Sequence, residues 1–178
     1  ASVLEMDGKI LVAGMGGRPV FGQNSDIVLA RYNINGSLDT NFDGDGKVNT
    51  TLSSTFDEAY AVALQTDGKI LVTGIKDSNT SPSPLVLLRY SSDGSLDNTF
   101  GNKGLVSTNI GNIEYTNGTQ DIGVGISIQA DNKIVVLGNS HELGLALLRY
   151  NSDGTLDANF DYDGIVTLGI DKSGSSVN

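Results

Sequence analysis

The sequence predicts an all-β protein built from three copies of one four-stranded antiparallel sheet. Three observations lead there: a long motif that recurs three times, apolar residues that alternate with a period of two, and abundant glycine. Glycine makes up 23 of 178 residues, about 13% against a usual ~7%, which signals many turns. Asp7-Gly8-Lys9-Ile10-Leu11-Val12 returns as Asp67-Gly68-Lys69-Ile70-Leu71-Val72 and as Asp131-Asn132-Lys133-Ile134-Val135-Val136. Arg31-Tyr32 returns as Arg89-Tyr90 and Arg149-Tyr150. Gly36-Ser37-Leu38-Asp39 returns as Gly94-Ser95-Leu96-Asp97 and Gly154-Thr155-Leu156-Asp157, each followed by a Phe (Phe42, Phe100, Phe160). A period of 58 to 64 residues marks a repeat architecture. We expect one repeat domain over 1–178, with units near 1–60, 61–124 and 125–178.

The elements follow in order within the second unit. Alternation and turn residues place strands at 59–65, 69–74, 85–90 and 105–109. Thr66-Asp67-Gly68 joins the first two as a hairpin, with Gly supplying the positive φ. Ser91-Ser92-Asp93-Gly94 turns the chain after the third. The first strand, Ala59-Tyr60-Ala61-Val62-Ala63-Leu64, alternates small and large residues, as does Gly123-Val124-Gly125-Ile126-Ser127-Ile128. One face is thereby stripped to Ala or Gly, as where sheets converge at the inner strand of a propeller blade. The third strand, Leu85-Val86-Leu87-Leu88, with Leu145-Ala146-Leu147-Leu148 in the third unit, is apolar on both faces, which predicts a central, sandwiched position.

Composition narrows the function classes. Lys and Arg number 11 against 21 Asp and Glu, for a net charge of −10. With no basic cluster, nucleic acid and anionic membrane surfaces are poor partners. Absence of Cys excludes disulfides, thiol nucleophiles and Cys-based zinc sites. Apolar runs are only a few residues long, so no membrane insertion is expected.

The repeated residues, Asp-Gly-Lys-Ile-Leu-Val-x-Gly, then Leu-x-Arg-Tyr-x-x-x-Gly-Ser-Leu-Asp, then Phe and Gly-x-Val, resemble the bacterial delta-sixty repeat, a β-propeller-type repeat. The resemblance covers essentially the whole chain. It implies a large secreted or cell-surface bacterial protein, and it carries no established catalytic residues. Asn132 departs from the pattern at the turn Gly, and Gly101-Asn102-Lys103-Gly104 departs from the acidic turns of the other units. Three blades fall short of the usual four to eight. Half of a six-bladed ring, part of a larger propeller, and a closed three-sheet β-prism are the architectures open to such a triplet.

Residues that recur in every unit most simply solve a problem common to every unit. Arg31, Arg89 and Arg149 each end an apolar strand eight residues before Asp39, Asp97 and Asp157. We expect each guanidinium to fork onto that Asp or onto loop carbonyls, because a semi-buried charge needs its donors met. A ligand-binding ring of three arginines is the alternative.

The turns carrying Asp43 and Asp45, and Asp161 and Asp163, resemble the first half of a calcium loop. Position twelve is Leu52 or Ile170 instead of Glu, which excludes a hand-type site and leaves only a looser calcium site. No cofactor is otherwise expected.

His141 is the lone histidine, and no Gly-x-Ser-x-Gly elbow accompanies it. We therefore expect no enzyme. The units differ most in the connection between second and third strands, at 15–26, 75–84 and 139–144. Variable loops on a constant scaffold are where binding usually sits. Arg18, Phe21, Lys76, Tyr115 and His141 are the candidate contacts.

The expected function is a non-catalytic extracellular module, with self, further repeats of the parent protein, glycan or surface protein as partners. A polysaccharide hydrolase or lyase using loop Asp residues at a propeller rim is the alternative.

Overall fold

Strand formation follows the period-two pattern closely. The computed structural model describes residues 1–17, 24–76, 83–110, 120–140 and 143–169, and among them there are twelve strands and no helix. The first sheet holds β1 (Ser2–Leu4), β2 (Ile10–Gly16), β3 (Asp26–Tyr32) and β4 (Lys47–Thr50). The second holds β5 (Asp57–Leu64), β6 (Ile70–Lys76), β7 (Leu85–Tyr90) and β8 (Leu105–Thr108). The third holds β9 (Asp121–Ile128), β10 (Ile134–Ser140), β11 (Gly144–Tyr150) and β12 (Ile165–Gly169). Each sheet is an antiparallel meander in chain order.

β5 and β6 run further than the alternation suggests. Asp57 and Glu58 pair with Lys76 and Ile75, beyond a bulge between Ala59 and Ala61. Gly74 sits at that bulge, where a Cβ would lie 1.8 Å from the Glu58 carbonyl oxygen. A glycine that reads as a strand end is instead the residue that lets two backbones approach.

Alternation then sorts side chains between two cores. Ile70 and Val72 of β6 and Val86, Leu88 and Tyr90 of β7 pack with Leu11, Ala13, Ile27, Leu29, Phe42 and Val48 of the first sheet. Leu71, Leu85, Leu87 and Phe100 turn the other way, onto Ile134, Val136, Ala146, Leu148 and Tyr150 of the third. A prism would gather all three sheets around one core. Here the middle sheet separates two, which is the face-to-face stacking of propeller blades.

All six residues of β7 are buried. Its counterpart β11 exposes Leu145 and Leu147, correcting the expectation that Leu145–Leu148 is sandwiched as Leu85–Leu88 is. Place in the stack decides this, because only the middle sheet has a neighbour on both sides.

Candidate functional site

The repeated charged residues converge at one place in each sheet. Arg31 Nε donates to Asp39 Oδ2 at 2.8 Å, Arg89 Nε to Asp97 Oδ2 at 2.8 Å, and Arg149 Nε to Asp157 Oδ2 at 2.7 Å. A lysine from the preceding hairpin reaches the same oxygen: Lys9 at 3.3 Å, Lys69 at 3.5 Å and Lys133 at 2.7 Å. The other carboxylate oxygen accepts the amide two residues on, from Asn41, Thr99 or Asn159. Each guanidinium also lies over a ring, 4.7 Å from the Phe42 centroid, 4.4 Å from Phe100 and 4.5 Å from Phe160.

Electrostatics keeps these carboxylates ionised. The Lys133 ammonium, followed by the Asn159 amide and Arg149, holds Asp157 down to about 2 against the opposing effect of burial. Burial pushes Asp39 and Asp97 up. For Asp39 the Asn41 amide, Lys9 and Arg31 outweigh it, and for Asp97 the Thr99 hydroxyl and amide and Arg89 do. Both finish below the ordinary carboxylate range. Groups so held have no proton to donate near neutrality.

The same residues join one sheet to the next. Arg31 Nη1 donates to the Ser92 carbonyl at 2.6 Å, and Arg89 Nη1 to the Ser152 carbonyl at 2.5 Å. Asp43 N donates to the Asp93 carbonyl, and Gly101 N to that of Asp153. Gly94 and Gly154 sit in the received turns at φ +97° and +93°, where a Cβ would lie 2.8 Å from Val48 or Val106. Tyr90 Oη donates to Thr50 Oγ1 and Tyr150 Oη to Thr108 Oγ1, both at 2.8 Å across the sheet boundary. Burial pushes the Tyr90 phenol up to about 12.

Other candidates fall differently. Asp45 Oδ1 accepts from Lys47 N and Asp163 Oδ1 from Ile165 N, each at 2.8 Å. Asp43 and Asp161 adopt positive φ, 51° and 47°, within those same turns. Among the described residues no group of three or more His, Cys, Asp or Glu is arranged to hold a metal ion. Lys76 ends β6, paired with Asp57 across the ladder. Arg18, Phe21, Tyr115 and His141 lie outside the described residues.

Several contributors were not singled out in sequence. The motif lysines carried a signal, because Lys9, Lys69 and Lys133 recur at a constant place. Asp57 and Asp121 also recur in phase: Asp57 Oδ2 accepts from Leu52 N and Ser53 N, and Asp121 Oδ2 from Ile110 N. They tie down the connections between sheets. A cleft of about 580 Å³ between β1 and β5, lined by Val3, Leu4, Met6, Val62 and Leu64 with Glu5 and Gln65, has the size of a small-molecule pocket. Its sequence signal is slight: Met6 stands where the other units have Thr66 and Ala130.

Three antiparallel meanders stacked through one recurring joint define a β-propeller-type repeat protein. The chain belongs to the family described as Domain of unknown function (DUF5122) beta-propeller, whose model matches residues 6–42, 65–100 and 129–160. Each match contains the motif Lys, Arg and Asp and ends on the Phe beneath the guanidinium. Comparison with curated proteins found no match.

Proposed function

We propose that the chain is a non-catalytic, extracellular structural and binding module of a bacterial surface or secreted protein. Its blades form a rigid scaffold that self-associates, and its variable loops contact glycan or protein. One observation carries this reading: the charged residues common to the units cap turns in all three and join sheets at the two internal boundaries, which leaves the connections that differ between units for recognition. Resemblance to the delta-sixty repeat supports the surface location.

The test is binding of the purified chain to a panel of immobilised bacterial polysaccharides, with reducing-end release measured on the same panel. Binding without turnover is expected. Replacing Arg18, Phe21, Lys76, Tyr115 and His141 by Ala should weaken binding at least about tenfold, in line with contact residues that carry most of an interface's energy, and leave the melting temperature unchanged. Turnover that disappears when Asp43, Asp45, Asp161 and Asp163 are replaced by Ala would establish the polysaccharide hydrolase or lyase instead.

A further inference from the structure

We propose that the outer face of the third sheet receives the outer face of the first sheet of a second copy, head to tail, through the joint that links sheets inside the chain. This rests on the scaffold reading above and concerns its self-association. The joint occurs twice, and each time it has a socket and a plug. At the first boundary the socket is Arg31, Phe42, Val48 and Thr50, and the plug is the Ser92 carbonyl, Gly94 and Tyr90. At the second, Arg89, Phe100, Val106 and Thr108 receive the Ser152 carbonyl, Gly154 and Tyr150.

The two outer faces carry the complementary halves. Arg149, Phe160 and Val166 of the third sheet repeat the socket, with the guanidinium already over the ring. The Ile34 carbonyl, Gly36 and Tyr32 of the first sheet repeat the plug. Because the arginine grips a carbonyl, Ile34 in place of Ser leaves that contact available. Gly36 keeps φ +83°, and a Cβ there would meet nothing within 4 Å. The surrounding faces are apolar. Leu145 and Leu147 are 38% and 36% exposed where Leu85 and Leu87 are fully buried, and Ile10 and Val12 are 40% and 37% exposed where Ile70 and Val72 are at most 1%.

One position departs from the pattern. Leu168 stands where β4 and β8 place Thr50 and Thr108. The Tyr32 hydroxyl of the second copy therefore meets a methyl group, and the joint between copies lacks the buried hydroxyl pair of the internal joints. Association is accordingly weaker than the internal stacking and depends on concentration. A head-to-tail contact of this kind closes into a ring or continues as a filament according to its rotation.

Light scattering on a sizing column, over a hundredfold concentration range, tests this. The mass should rise above the 18.6 kDa of one chain. Leu168→Thr should lower the dissociation constant about fivefold by restoring the hydroxyl pair. Val12→Glu spoils the plug and Leu147→Glu the socket, so each variant alone should remain monomeric. Mixed, they should form a one-to-one dimer, since each retains the half the other lacks. Melting temperatures matching the parent protein confirm that both variants fold. A monomer at every concentration, failure of the folded variants to pair, or no response to Leu168→Thr would overturn the proposal. Polysaccharide binding by the loops is read separately, so loss of either result leaves the other interpretable.

Discussion

At the scale of single residues, Asp39, Asp97 and Asp157 are anchor points on which a lysine, an arginine and a turn amide converge. All three carboxyls titrate below their ordinary range in the folded protein. Depressed acids stabilise the fold fully above the unfolded pKa of ~3.9, and that contribution fades as pH falls through the folded value. With Asp157 held to about 2, the melting temperature should hold between pH 7 and 5 and fall between about pH 4 and 2. Asp157→Asn should flatten that acid decline while lowering stability at neutral pH. Tyr90→Phe leaves the Thr50 hydroxyl buried without its partner and should cost about 1 kcal/mol in urea unfolding, whereas the Tyr90→Phe, Thr50→Val pair should come close to neutral.

At the scale of elements, strand alternation distributes side chains while glycines permit close backbone approach. Phe100, under Arg89 and in the second core, fills space that no neighbour replaces. Phe100→Ala should destabilise the protein by about 3–5 kcal/mol, measured by denaturant unfolding. Gly74→Ala forces a Cβ onto the Glu58 backbone at the bulge. A cost of about 1–3 kcal/mol is expected there from overpacking, although Ala is otherwise the better strand residue. The hairpin turns tolerate more variety: Asn132 occupies φ +64° where the other units use Gly8 and Gly68, because Asn can adopt the left-handed region.

At the scale of the whole molecule, each sheet contacts its neighbours and two cores flank the middle one. Stability in such stacks is close to a sum of unit and nearest-neighbour terms. Amide exchange should therefore be slowest in β6 and β7, which are buried on both sides, and fastest in β1 and β12. Equal protection across all three sheets would contradict that picture. Prism closure would predict such equality, because each sheet would then face the same core.

The repeats, the four-strand unit and the Arg-to-Asp spacing were legible in sequence, because local alternation and turn chemistry act within a few residues. β7 lies where its apolar run suggested, at Leu85–Tyr90. What the sequence could not display is which side chains meet across sheets. Tyr90 lies 40 residues from Thr50, and Arg31 lies 61 residues from Ser92. Those distances close only when one sheet stacks on the next. The exposure of Leu145 and Leu147, set against the burial of Leu85 and Leu87, has the same origin. Leucines at equivalent positions of equivalent strands have opposite fates because burial depends on having a neighbour, and tertiary stacking alone supplies one.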